Sequence, residues 1–212
     1  MTGVSIAAIV EGHGECEAVP ILIRRIASQI DPGFTPRILP PQRIPASTLR
    51  KGGELEHAVE LAARKLQGHG GILVLLDADW EGACPAIDGP ALLDRVKKTR
   101  SDLPISVVLA KQEFEAWFLA AAESLRGKRS LPQDLTAPPD PESIRDAKGW
   151  LRRQMPGQRT YTETEDQAAL TAIFDMDAAR TADSFDKCFR EIMGLLRQLR
   201  QQHGTDDRTG SS

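Results

Sequence analysis

Two short apolar runs that each end on acid constrain this chain more than anything else in it. Residues 4 to 10 read Val-Ser-Ile-Ala-Ala-Ile-Val and lead into Glu11-Gly12-His13-Gly14-Glu15. Residues 72 to 76 read Ile-Leu-Val-Leu-Leu and lead into Asp77-Ala78-Asp79. Runs of this length, rich in branched aliphatics and bounded by glycine, predict buried parallel strands. Ligands of open α/β sheets bind beyond the carboxyl ends of such strands. Carboxylates gathered there repel one another unless a cation lies between them. The pattern therefore predicts a divalent-metal site and phosphate chemistry.

A chain of 212 residues, 41% hydrophobic and 27% charged, holds one sizeable core and a smaller appendage. Its net charge of −3 excludes a generally basic nucleic-acid coat but leaves room for a local groove. Cys16, Cys84 and Cys188 are far apart and form no CxxC pair, which argues against a disulfide framework or a zinc ribbon. No apolar run approaches the roughly 20 residues of a membrane span, and the first residues do not resemble a secretion signal. The expectation is a cytoplasmic protein with no membrane association.

Strand and helix patterns alternate through the first part of the chain. A helix is expected at about 15–30, with Val19, Leu22, Ile23 and Ile26 on one face, and an edge strand within 34–44, broken by Pro36, Pro40 and Pro41. Further helices are expected at about 53–67 and 90–100. A strand over 105–110 ends on Lys111-Gln112-Glu113-Phe114-Glu115, which enters a helix bearing Trp117, Phe118, Leu119 and Ala122. This alternation predicts a parallel α/β sheet. Residues 126–141 read as a surface loop; helical patterns then cover 142–154, 165–174 and 184–202, and 203–212 reads as a disordered tail.

Rival readings of the acidic turns fit less well. A dinucleotide fingerprint starting at Gly12 would need a small residue where Glu17 stands. No Gly-Lys-Ser or Gly-Lys-Thr follows a strand, so a Walker A loop is absent. The nucleophile turn of haloacid dehalogenase-type phosphatases calls for Thr or Val where Glu81 follows Asp79. A lone Asp after a strand would be read as a turn cap. Two Asp one residue apart, with Glu11 and Glu15 on another strand end, weaken that reading, and strand alternation sends Asp77 and Asp79 to the same side.

The order strand–Glu11-Gly12, then strand–Asp77-x-Asp79, resembles the TOPRIM domain of topoisomerases, primases and OLD-type nucleases. More of the chain resembles a narrower TOPRIM-like family, DUF4276. That likeness is carried by Val10-Glu11-Gly12, Asp77-x-Asp79, Glu113-Phe114-Glu115-Ala116-Trp117-Phe118-Leu119, Asp146-x-Lys148, Tyr161, Asp166-Gln167 and Ser184-Phe185. The resemblance implies a TOPRIM-like α/β domain over about 1–124, a parallel sheet flanked by helices, with a helical C-terminal extension over 125–202 packed on it. It gives Glu11 a proton-transfer role and Asp77 and Asp79 a magnesium role, and it matches Glu15 to a second glutamate of nuclease-type members. There Ser or Thr commonly precedes that residue, where this chain has Gly14. Lys148 is a candidate catalytic contact through the resemblance alone, and so is an ATPase partner in a defence or toxin-like setting.

The expected site is thus Glu11, Glu15, Asp77, Asp79 and Glu113 around Mg²⁺ or Mn²⁺, with Glu115 as another possible ligand. Gly12, His13 and Lys111 stand nearby as substrate contacts, and Lys148 acts beside Glu11 in catalysis. The expected function is metal-dependent phosphodiester hydrolysis on nucleic acid; the alternative is a non-catalytic module that binds a nucleotide or a partner. The basic groups at 95–98, 126–129 and 152–153 could line a nucleic-acid track, although each taken singly reads as a solvated helix face. Trp117 and Phe118 are expected in the core, and Ser184 reads as an N-cap.

Overall fold

The computed structural model describes residues 3–155, 157 and 159–209, with side chains through Gln202. Strand β1 is Ser5–Val10, helix α1 Glu15–Ile30, and β2 (Arg37–Ile38) and β3 (Gln42–Arg43) follow. Then come α2 (Ala46–Leu49), α3 (Glu54–Leu66), β4 (Gly71–Ala78), α4 (Pro85–Thr99) and β5 (Ile105–Lys111). The remainder is helical: α5 (Ala116–Ala120), α6 (Ala147–Gln154), α7 (Ala168–Thr171), α8 (Met176–Ala179) and α9 (Asp183–Thr209). Short 3-10 turns lie at Ala122–Leu125 and Pro141–Ser143, and a π turn at Glu163–Gln167 leads into α7.

All pairings in the sheet are parallel, in the order β2–β1–β4–β5, with β3 also paired to β1. β2 and β3 are two pieces of one edge, separated by the Pro40-Pro41 step that cannot donate to a ladder. β1 and β4 run side by side, Ile6 opposite Gly71 and Val10 opposite Leu75. Their carboxyl ends, and with them the two acidic turns, therefore lie on the same edge of the sheet. β5 continues that edge, with Lys111 opposite Ala78.

Both faces of the sheet are covered, which explains why the central strands read as unbroken apolar runs rather than alternating ones. One face packs on α2, α3 and α4 through Ile9, Val74, Leu76, Val107 and Leu109. The other packs on α1 and the whole C-terminal helical part through Ile6, Leu73, Leu75 and Val108. The same apolar cluster takes in Leu131, Leu151, Leu170, Ile192 and Leu196, so the C-terminal helices share the core of the sheet. Phe114, Trp117, Phe118, Phe174 and Phe185 interlock there with ring centroids 4.5–5.6 Å apart.

Several elements differ from expectation. α4 begins at Pro85, one and a half turns before its expected start, because Pro85 occupies the tolerated first position and Pro90 is accommodated in the helix. The stretch after β5 is only a five-residue helix, followed by a 3-10 turn. The loop at 126–141 is anchored by buried Leu131 and Leu135. α9 runs to Thr209, past its expected end at 202, so the tail expected to be disordered from 203 begins inside this helix; a polar helical end has no apolar period to read. Residues 210–212 lie outside the described residues. No helix among the described residues is long and apolar enough to cross a membrane.

Candidate functional site

At the end of β1 the chain turns sharply, and Glu15 closes the turn. Its Oε2 accepts from the N–H groups of Glu11 (2.8 Å) and Gly12 (3.0 Å). Glu15 is only 2% exposed. Burial pushes its carboxyl up to about 7, against the pull of those two N–H groups. Glu11 is half-buried, and its Oε2 is a buried oxygen with no hydrogen-bond partner. Burial raises its pKa as well and the neighbouring Asp79 charge adds to the rise, while the backbone N–H groups of Ala46 and Asp77, and then Lys148, oppose it.

Asp77 is the penultimate residue of β4 and is buried. Its Oδ1 accepts from the N–H of Phe114 at 2.8 Å, joining the ends of β4 and β5. Burial drives its pKa well above the ordinary carboxylate value, with Glu15 adding to the rise. Asp79 behaves differently. Strand pairing stops at Ala78, so alternation no longer aims Asp79, which is exposed. It lines a polar cavity of about 580 Å³ with Trp80, Gln112 and Arg145 among others.

Beyond β5, Gln112 takes the left-handed conformation at φ 68°, unusual for a residue with a side chain, and the chain reverses there. Glu113 and Glu115 then meet Lys148 from α6. The Lys148 ammonium stands 3.0 Å from Oε2 of Glu115, 3.2 Å from Oε1 of Glu113 and 3.6 Å from Oδ2 of Asp77. Its backbone N–H also donates to Oε2 of Glu113 at 3.1 Å. Burial alone would lower the lysine pKa, but Glu115, Asp77 and Glu113 together outweigh it and hold the ammonium charged. Glu115 has no exposed surface, and its Oε1 accepts from the Tyr161 hydroxyl at 2.7 Å. Burial, then the Glu115 charge, raises the Tyr161 pKa, so the phenol remains a donor.

The π turn lies over the glycine turn. Gly14 N–H donates to Oε1 of Glu163 at 3.1 Å. A Cβ on Gly12 would come within 2.6 Å of that same oxygen, and one on Gly14 within 2.6 Å of the Glu163 carbonyl oxygen. At Gly14 the backbone leaves no room for a side chain, whereas at Gly12 the near atom is the mobile end of the Glu163 side chain. Asp166, fully buried, fixes this turn by accepting from Arg159 (2.6 Å), Thr162 N–H (2.9 Å) and Arg129 Nε (3.0 Å).

Of the residues singled out in the sequence, Asp77, Glu113 and Lys148 meet in one cluster, and Glu11 and Glu15 share the neighbouring turn. Asp79 reaches Glu11 through its charge but stands outside the buried group. His13 is exposed, and its side chain makes no hydrogen bond among the described residues. Lys111 is drawn elsewhere: it lines a separate cavity of about 450 Å³ at the open edge of β5, with Glu142 and Lys187. Ser184, expected as an N-cap, is instead the second residue of α9, and its Oγ accepts from Trp117 Nε1 (2.9 Å) and Lys111 N–H (3.1 Å) rather than from a helix N–H. The basic groups read as a track are largely committed internally: Arg95 to Glu56, Arg129 to Asp166, Arg153 to Asp146, and Arg126 and Arg152 to backbone carbonyls.

Sequence reasoning left Tyr161 without a place and did not find Glu163. The acid-rich Glu163-Thr164-Glu165-Asp166 stretch carries no period that would aim it at a glycine turn so far away in the chain. As for a cation, no group of three or more His, Cys, Asp or Glu side chains able to hold a metal ion is present among the described residues. The charge inside the buried cluster is offset in part by Lys148. The donor set still suits a hard cation at its Glu11 side. There a buried carboxylate oxygen lacks a partner, and Mg²⁺ is usually held by one or two carboxylates together with waters and substrate phosphate.

The molecule is thus a parallel α/β protein with an acidic, lysine-bearing site on the carboxyl edge of its sheet. It belongs to the family described as domain of unknown function DUF4276, whose family model matches residues 10–192. No curated protein and no solved structure matches the chain.

Proposed function

We propose that this site carries out divalent-metal-dependent hydrolysis of phosphodiesters in nucleic acid, in the manner implied by the resemblance to TOPRIM-type nucleases. The observation that supports it is the buried, unpartnered Oε2 of Glu11 at the end of β1, beside Asp77 at the end of the adjacent parallel strand. Glu11, Asp77 and Asp79 would hold Mg²⁺ or Mn²⁺, which supplies Lewis-acid polarisation of a phosphate and a more acidic bound water. Glu11, half-buried and with its pKa raised above the ordinary carboxylate value, is placed to take or return a proton. Glu15 orders the turn that aims Glu11. Lys148 keeps Asp77, Glu113 and Glu115 together and brings positive charge to an edge where phosphate charge would develop. A defence or toxin-like setting with an ATPase partner belongs to the same proposal.

A second reading has its own support. Because Lys148 already pairs with the buried acids, the same architecture could serve a non-catalytic module that binds a nucleotide or a partner without an ion. Incubation with plasmid and with RNA, in Mg²⁺, Mn²⁺ or chelator, separates the two when Glu11→Gln and Asp77→Asn are run alongside. Metal-dependent cleavage that both variants lose is the expected result. No cleavage, together with no heat of Mn²⁺ binding in calorimetry, would remove the nuclease reading and leave the binding module.

A further inference from the structure

The polar cavity beside Asp79 combines features that the acidic cluster does not use. Its volume of about 580 Å³ lies within the roughly 300–1,000 Å³ range of small-ligand pockets. Trp80 lines it, half-buried against the apolar face shared with α3 and α4. The guanidinium of Arg50 lies over the indole, 4.5 Å from the ring centroid. Arg145 lines the same cavity, is exposed, and makes no ion pair or hydrogen bond among the described residues. Arg50 likewise has no carboxylate partner there. These two contrast with Arg95, Arg100, Arg129 and Arg159, whose charges are spent on internal carboxylates.

We propose that this cavity is a nucleobase subsite and that its ligand is single-stranded nucleic acid. The proposal rests on the phosphodiesterase reading and supplies its substrate class. An indole whose face already carries a guanidinium is a stacking platform that a base can take over, and it tolerates any base because every base has a π-face. Glu81 also faces the cavity, where it can accept from the exocyclic amines and imino N–H groups of a base but would repel a phosphate. The base therefore belongs inside the cavity and the backbone outside it. Arg145 and Arg50, the latter swinging off Trp80 as the base takes its place, meet the flanking phosphates. Since Asp79 is a wall of the cavity, a base seated there brings its own backbone to the strand ends that hold Glu11 and Asp77. A base within a duplex is stacked on both faces and cannot enter, which is the reason for the preference for single strands.

The test reads binding rather than hydrolysis. A fluorescently labelled 12-nucleotide single strand and its duplex are titrated with the full chain, first in chelator and again in Ca²⁺, and anisotropy is followed. The single strand is expected to bind at least tenfold more tightly. Trp80→Ala should weaken single-strand binding roughly 5- to 150-fold, the cost of one lost base stack, while Trp80→Phe retains most of it and duplex affinity is unchanged. Arg145→Ala, on the exposed rim, should lower affinity and flatten the salt dependence without disturbing the fold. Equal affinity for both forms, no binding of either, or indifference of single-strand binding to both Trp80→Ala and Arg145→Ala would overturn the proposal. Trp80-dependent single-strand binding without metal-dependent cleavage would uphold the subsite and remove the nuclease. Metal-dependent cleavage with no single-strand preference would do the reverse.

Discussion

The ammonium of Lys148 stands 3.0 Å from Oε2 of Glu115, a carboxylate with no exposed surface. The pair joins α6 to the turn after β5, and it gives the buried acids at the sheet edge their only close ammonium or guanidinium group among the described residues. Removing one partner of such a pair leaves the other charges buried and unbalanced, which typically costs about 3–5 kcal/mol. Lys148→Met, similar in length and apolar, is therefore expected to lose about 3 kcal/mol in urea unfolding at pH 8. The loss should be smaller at pH 5, where Asp77 and Glu115, both raised by burial, can take up protons. An equal loss at the two pH values would show that the lysine acts by packing.

Glu15 predicts a pH dependence of the metal-free protein. Its carboxyl is raised from 4.5 to about 7, chiefly by burial. At this group the folded state binds more protons than the unfolded chain between those values, so the Glu15 contribution to stability is full below 4.5 and is lost as pH rises through about 7. The displacement corresponds to about 3 kcal/mol at most. In chelator, the melting temperature should decline from pH 5 to pH 7.5, and Glu15→Gln should flatten the decline. Carboxylates that arginines hold below their ordinary range, such as Glu56 and Asp186, lose their contribution only at lower pH and leave this window clear. A melting temperature that rises across it would contradict the assignment.

Gly14 predicts a steric effect. A methyl group there would overlap the Gln167 amide oxygen and approach the Glu163 carbonyl oxygen to 2.6 Å, and the backbone can yield only by lifting the π turn. Gly14→Ala should cost about 1–3 kcal/mol, the usual cost of overpacking. It should also raise amide exchange at 163–167. Gly52→Ala, where an added Cβ meets nothing within 4 Å, should stay within about 0.5 kcal/mol of the parent and serves as the control.

The sheet was legible because its strands are short, apolar and punctuated, and because consecutive acidic turns on parallel strands must share an edge. Asp77 and Glu113 came with them. Other parts were hidden for definite reasons. Asp79 could not be aimed by alternation, since pairing ends one residue before it. Lys148 and Tyr161 are separated from their partners by 33 to 71 and by 46 residues of chain, and no local period joins such positions. Runs of basic residues suggested an outward track, yet ion pairing is decided in three dimensions, and Arg95 and Arg129 turned to Glu56 and Asp166. Glu163 reaches Gly14 across 149 residues through a π turn, a geometry that composition does not announce.

The placement of Lys148 also has a consequence for synthesis. Translation delivers the chain from its N-terminus, and every strand among the described residues is complete by Lys111, whereas the ammonium that pairs with Asp77, Glu113 and Glu115 arrives only with α6. A chain that reaches only residue 124 has all of these strands but lacks both that ammonium and the later apolar helices that pack on one face of the sheet. The acidic edge of the sheet is in this way finished by segments that follow it in the chain.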